Sequence, residues 1–241
     1  MNILLTNDDG YDAAGLQAAY EGLSALGRVH VVVPQSERSA CSHTIALRGP
    51  ITVQRRTHAV YGASHAVDGS PADCVRVAVG ALIPGRIDLC VSGINHGANA
   101  GVDTFYSGTV AGAREAAILG IRAIALSQAR RGQTDIDWKS AGALTRLVTE
   151  ELMKEPLPGP GFWNVNFPMP IPQEPSKHMR RVPVALHPMP MSFDRRSGDD
   201  GVLHFDFGSS YWQRESTDAC DYSVLREGGI PISAIPLQGR F

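Results

Sequence analysis

Three short stretches of this 241-residue chain carry residues whose types and spacing could do chemistry together. The first is Asp8-Asp9, two adjacent carboxylates placed directly after the apolar run Ile3-Leu4-Leu5 and before Gly10. Neighbouring anions repel each other and resist leaving water, so they call for a cation. The second is Ser92-Gly93-Ile94-Asn95-His96-Gly97-Ala98-Asn99-Ala100-Gly101, again following an apolar run. Its glycines let backbone amides approach a ligand. Asn95 and Asn99 offer neutral oxygens to a metal, or N–H donors to an oxyanion. The third is Ser107-Gly108-Thr109, which opens a helix of small residues; free N–H groups and the helix dipole favour an anion there. A hydroxyl-rich loop from Gln35 to His43, with Ser39 in it, completes the set. Each feature has a plainer reading: an Asp turn capping a helix, a hydroxyl cap, a solvated loop. Taken together they supply two carboxylates with hydroxyl and amide oxygens, which suits one hard divalent cation such as Mn²⁺ or Mg²⁺ rather than zinc. A phosphate held beside such an ion is the arrangement of phosphoryl transfer.

These groups work only if the fold brings them to one place. Ile3 to Leu5 reads as a strand buried on both faces. Leu16, Ala19, Tyr20 and Leu23 mark one face of a helix stopped near Gly27, and Val29 to Pro34 reads as a second strand. Strand, helix, strand with short links is a right-handed βαβ unit. Ile51–Gln54 and His65–Val67 suit a β-hairpin flanking the sheet. Ser70-Pro71-Ala72-Asp73 predicts a helix start with a capping box. Ile87–Val91 and Ala123–Ser127 are further buried strands, 138–152 an amphipathic helix, and 163–168 a last short strand. From about residue 170 prolines crowd the chain and periodicity fades. The expected fold class is therefore α/β: a Rossmann-like, three-layer parallel sheet with a flanking β-hairpin and an extended C-terminal arm. Residues 1–169 form the catalytic domain, and 170–241 a β-rich arm expected to serve oligomerisation. In such sheets ligands bind at the carboxyl edge, where Asp8-Asp9, Ser39, Asn95 to Asn99 and Ser107 to Thr109 all fall.

Composition narrows the classes. A net charge of −2 leaves no electrostatic footprint for nucleic acid or an anionic membrane. No apolar run approaches the roughly 20 residues that cross a bilayer, and no signal peptide is expected from the opening residues. Cys41, Cys74, Cys90 and Cys220 form no CxxC pair, which favours a reducing, cytoplasmic setting over a disulfide or zinc framework. His30 and His96 lack a partner histidine at ligand spacing, so both read as structural. A dinucleotide-binding enzyme would need G-x-G-x-x-G after the first strand, and Asn7-Asp8-Asp9-Gly10 is not that.

Thr6-Asn7-Asp8-Asp9-Gly10-Tyr11, Val33-Pro34 with Ser36 to Ser39, Asp68 to Asp73, Ser92 to Asn99 and Tyr106 to Ala111 resemble, in order and spacing, the signature blocks of the SurE family. The resemblance implies a metal-dependent 5′-nucleotidase that hydrolyses nucleoside 5′- and 3′-monophosphates, with short polyphosphate as a further substrate. It implies Asp8, Asp9, Ser39 and Asn95 as metal ligands, and Ser107, Gly108 and Thr109 as the phosphate loop. It also implies homodimers or homotetramers joined through C-terminal arms. Two departures stand out: Glu115-Ala116 replaces the usual Glu-Gly, and the tail at Thr217-Asp218 and Ile232 to Leu237 follows the family pattern loosely. Dimer and tetramer therefore both stay open.

The resulting hypothesis assigns catalysis to Asp8, Asp9 and Asn95, and phosphate binding to Asn99, Ser107, Gly108 and Thr109. A non-catalytic nucleotide sensor on the same fold, or an exopolyphosphatase, are the alternatives. Contacts to the base are expected from the flanking hairpin or the arm.

Overall fold

The apolar runs form the middle of one large sheet. The computed structural model describes residues 1–132, 134–157, 159–198, 201–208, 212, 214 and 219–237. In chain order the first half comprises β1 (Asn2–Thr6), α1 (Ala14–Ser24), β2 (Arg28–Pro34), β3 (Thr52–His58), β4 (Gly62–Asp68), α2 (Pro71–Val77) and β5 (Leu89–His96). Next come α3 (Asp103–Tyr106), α4 (Gly108–Ile118), β6 (Ala123–Gln128), α5 (Trp138–Leu152) and β7 (Gly161–Phe167). The remainder supplies α6 (Pro175–His178), β8 (Met179–Arg181), β9 (Phe193–Ser197), β10 (Leu203–Phe207), α7 (Asp221–Arg226) and β11 (Ile230–Pro236).

Among the described residues the main sheet has nine strands in the order β3-β4-β2-β1-β5-β6-β7-β11-β8. From β4 to β7 every neighbouring pair is parallel. β3 pairs antiparallel with β4, so the expected hairpin forms one edge of the sheet. At the other edge β11 runs antiparallel to β7 and carries β8 beside it. Strand order reverses between β1 and its neighbours β2 and β5, which opens the crevice characteristic of such sheets.

Alternation along the strands builds the layers. Ile3, Leu5, Val31 and Val33 point to one face, under Leu16, Ala19 and Leu23 of α1 and Leu144 and Val148 of α5. Leu4, Val32 and Cys90 point to the other, under Cys74 and Val75 of α2 and Val110 and Ala113 of α4. Both faces of the parallel strands are thus covered by helices, as unbroken apolar runs demand. The capping box at α2 is present: Ser70 Oγ accepts from the Asp73 N–H at 3.0 Å, and Asp73 Oδ2 accepts from the Ser70 N–H at 3.0 Å.

The segment after residue 170 divides in two. β8 and β11 lie in the main sheet, whereas β9 and β10 form a separate antiparallel hairpin exposed along its whole length. Thr217 and Asp218 lie outside the described residues. No helix among the described residues is long and apolar enough to cross a membrane.

Candidate active site

The loops that follow β1, β2 and β5 at the sheet's carboxyl edge meet the start of α4 around one cavity of about 660 Å³, lined by Asp8, Asp9, Ser39, Asn95, Asn99 and Ser107 among others. Six of the residues singled out from the sequence therefore share one space.

Asp8 sits deepest and is only 5% exposed. The turn that carries it is closed by Asn7 Nδ2 donating to the Gly10 carbonyl at 2.8 Å. Its carboxylate is held by the hydroxyl of Thr109, which donates to Oδ1, and by the Thr109 backbone N–H. The anion seated at the amino end of α4 is thus the chain's own Asp8, and the Thr109 side chain is fully buried behind it. Gly108 makes this approach possible. A Cβ at that position would stand 2.9 Å from Asp8 Oδ2 and 2.9 Å from Cys41 Sγ, so any side chain there would displace the acid, the thiol or the helix start. Burial pushes the Asp8 pKa up to about 6; the neighbouring Asp9 charge adds to the rise, and the Thr109 hydrogen bonds oppose it.

Asp9 is less buried and faces the cavity. Its Oδ2 accepts the backbone N–H of His96 at 2.9 Å. Burial raises its pKa as well, against the pull of that hydrogen bond. Two acids both pushed toward protonation are a destabilised pair, and a divalent cation is the partner that would relieve them. Among the described residues no group of three or more His, Cys, Asp or Glu gathers to hold a metal. A cation here would therefore take two carboxylates and complete its shell with neutral oxygens and water, which is a magnesium or manganese donor set.

Asn95 and Ser39 are placed to supply such oxygens. The β5–β6 register shifts between Ser92 and Asn95, and a shift of this kind re-aims the side chains that follow it. Asn95 Nδ2 donates to the Gly97 carbonyl at 2.9 Å, which fixes how its amide sits at the cavity wall. Ser39 is exposed on the loop after β2, where its hydroxyl donates to Glu37 Oε1 at 2.5 Å. That loop is tied down on both sides. The Arg38 N–H donates to the Asp8 carbonyl at 2.7 Å, and the Ser42 N–H to the Tyr106 carbonyl at 2.9 Å. Further along, His43 and Arg76 both contact the buried Glu115 of α4, at 2.8 and 3.0 Å.

The remaining predicted residues are placed differently. Ser107 caps α4, its Oγ accepting from the Val110 N–H at 3.1 Å. Asn99 is 8% exposed and heavily engaged: its amide donates to Ser127 Oγ at 2.8 Å and its backbone N–H to Asn166 Oδ1 at 2.7 Å. Its carbonyl accepts from Asn164 Nδ2 at 2.8 Å.

Several residues that shape the site escaped sequence reasoning. Asp221 of α7 accepts the backbone N–H groups of Gly101 at 2.7 Å and Ala185 at 2.8 Å. Arg214 donates to Asp103 at 2.5 Å, just before the Ser107 turn. Glu37, His96, Tyr106, Arg130, Trp138 and Met189 also line the cavity. Glu37, His96 and Tyr106 fall inside stretches already singled out from the sequence but were given no role at the site; Arg130, Trp138 and Met189 come from parts of the chain without any motif.

Comparison with known proteins identifies the family. Residues 3–187 match the family model described as survival protein SurE. The 5′-nucleotidase SurE of Pelobacter propionicus is 45% identical over 168 residues, covering 70% of this chain and 66% of that protein. The 5′-nucleotidase SurE of Desulfitobacterium hafniense is 38% identical over 241 residues, with 97% and 90% of the two chains covered. The crystal structure of the SurE protein from Aquifex aeolicus superposes with a TM-score of 0.86 at 29% identity, over 99% of this chain and 94% of that one. Matched by the family model over residues 3–187 and by relatives 45% and 38% identical, the chain belongs to the SurE family.

Proposed function

We propose that this protein is a divalent-metal-dependent phosphomonoesterase, a 5′-nucleotidase that converts nucleoside 5′- and 3′-monophosphates to nucleoside and inorganic phosphate. The observation that carries this reading is the pairing of buried Asp8 with Asp9 in one cavity with Asn95 and the Ser107 turn. Relatives named 5′-nucleotidase SurE support the same activity.

Asp8, Asp9, Ser39 and Asn95 are the residues that would hold one Mn²⁺ or Mg²⁺. When bound, such an ion lowers the pKa of a coordinated water and neutralises charge developing at phosphorus. The protein's own contribution is positioning. Thr109 fixes the Asp8 carboxylate through its hydroxyl and N–H, and His96 fixes Asp9. The Thr109 N–H is taken by Asp8 and the Ser107 N–H by the Asp103 carbonyl, so within the 107–109 turn the Gly108 N–H and the Ser107 hydroxyl are the groups proposed to meet the phosphate's anionic oxygens. Asn95 adds a side-chain donor or acceptor, and Asn99 braces the loop that presents them. In this assignment Asp8, Asp9 and Asn95 are catalytic, and Asn99 with residues 107–109 forms the phosphate side.

The site binds small phosphate esters rather than duplex nucleic acid or membrane, and short polyphosphate is a further substrate by the same chemistry. We place the protein in the cytoplasm. The segment 170–241 acts as an oligomerisation arm of a homodimer or homotetramer, a role supported by the exposed Phe193, Phe205 and Phe207 of β9 and β10.

The test is release of inorganic phosphate from AMP in Mn²⁺, with and without EDTA. Release that EDTA abolishes and added Mn²⁺ restores is expected. Absence of metal-dependent release from every nucleoside monophosphate would overturn the assignment.

A further inference from the structure

We infer that Trp138 forms the wall against which the nucleobase stacks, with the tilted His96 ring bordering it, so that the site prefers purine nucleotides. This rests on the phosphatase reading above and names the part of the substrate that reading leaves open. The cavity of about 660 Å³ lies within the roughly 300–1,000 Å³ of clefts that enclose whole organic ligands. Space therefore remains beside the acids for the alcohol portion of the ester, and the chemistry of that space decides which alcohol fits.

Trp138 and His96 both line it. Their rings are 6.0 Å apart between centroids, with planes inclined at 54°. His96 directly follows Asn95, and its backbone N–H is held by Asp9, which fixes its distance from the reacting end. Trp138 is the first residue of α5, behind the Asp137 cap that accepts the Ser140 N–H at 3.1 Å. Its indole rests on the bare backbone of Gly15, where a Cβ would stand 2.9 Å from Cζ3. The Cζ3 edge of the ring is thereby set against α1, and the half-buried ring still borders the cavity. A flat, rigid, partly exposed aromatic surface is what a nucleobase stacks on, and the larger purine gains more from it. The base contacts thus come from α5 and β5 rather than from the hairpin or arm.

The experiment compares AMP with ribose 5-phosphate, which keeps sugar and phosphate but lacks the base, for Mn²⁺-loaded wild type and Trp138→Leu. Leucine keeps the packing on Gly15 but not the stacking. The kcat/KM ratio of AMP to ribose 5-phosphate is expected to fall about tenfold, mostly through KM for AMP. Trp138→Phe should retain most of that ratio, and UMP should lose less than AMP. An unchanged ratio, or an equal decline of both substrates, overturns the wall and leaves Trp138 a scaffold residue. A ratio that responds to Tyr106→Leu but not to Trp138→Leu also overturns it, by moving the base to the other side of the cavity. Failure of wild type to release phosphate from either ester counts against the phosphatase reading alone. Calorimetric binding of adenosine then decides the wall without turnover: weaker binding by Trp138→Leu supports it, and equal binding overturns it.

Discussion

At the carboxyl end of β1 the chain buries charge, whereas in β9 and β10 it exposes phenylalanine. The two regions break opposite rules of burial, and they are completed in different ways. Asp8 is held by donors from its own chain, the hydroxyl and backbone N–H of Thr109, on a turn closed by the Asn7–Gly10 hydrogen bond. Among the described residues the hairpin is held by its own ladder, an Arg196–Asp206 ion pair at 2.5 Å and a Phe193–Phe207 ring contact at 5.7 Å. A two-stranded hairpin alone is marginal in water, so Phe205 and its neighbours, more than half exposed, call for an outside surface. The cavity is built and braced from within the chain, whereas the hairpin turns its aromatic side chains outward.

The sharpest way to break this contrast is Asp8→Asn. The neutral amide keeps the shape and removes the charge, so AMP turnover should fall roughly a thousandfold, the worth of several kcal/mol of charge stabilisation. Mn²⁺ binding by calorimetry should weaken with it, while circular dichroism stays unchanged. Thr109→Val comes next. It leaves Asp8 without its hydroxyl donor, and loss of a group that orients a ligand costs about ten- to a hundredfold in metal affinity or activity; an Mn²⁺ titration of turnover reads it.

A smaller effect comes from pH. The pKa of Asp8 in the metal-free fold, about 6, lies above the ordinary 3.8. The proton it keeps therefore favours the folded state fully below pH 3.8 and ceases to do so as pH rises through 6. Metal-free protein should accordingly gain stability from this group on going from pH 8 to pH 5, measured as Tm. Mn²⁺ has to displace the same proton, so its affinity should drop by up to about tenfold per pH unit below 6. An Asp8→Asn protein should lose the Asp8 contribution to both trends. The smallest effect on catalysis is expected from Phe205→Ser: sedimentation should shift toward smaller species, with AMP turnover per chain within about twofold of wild type.

Much of the first region was legible from local pattern. Asp8-Asp9, the Ser70 capping box and the Ser107 helix start each lie within a few residues of the strand or helix that positions them, so spacing alone reveals them. The expectation for Thr109 was a phosphate contact, yet its hydroxyl bonds Asp8, 101 positions earlier in the chain. Asn164 and Asn166 brace Asn99 from a strand about 65 residues away, and nothing near them signals that task. β11 was hard to read as part of the main sheet because Pro231 and Pro236 interrupt its pattern. It tolerates them beside β7 and the short β8, near the sheet's edge, where fewer ladder bonds are required.

Asp221, 120 positions further along the chain than Gly101, clamps the glycine loop. A ribosome making this protein would release the paired acids, the asparagine turn and the helix start long before the carboxylate that clamps Gly101. Until α7 emerges, a nascent chain carries every predicted metal ligand without the brace that sets their frame. The cavity is therefore finished near the end of the chain's own synthesis, and a chain stopped short of α7 would lack the clamp on Gly101.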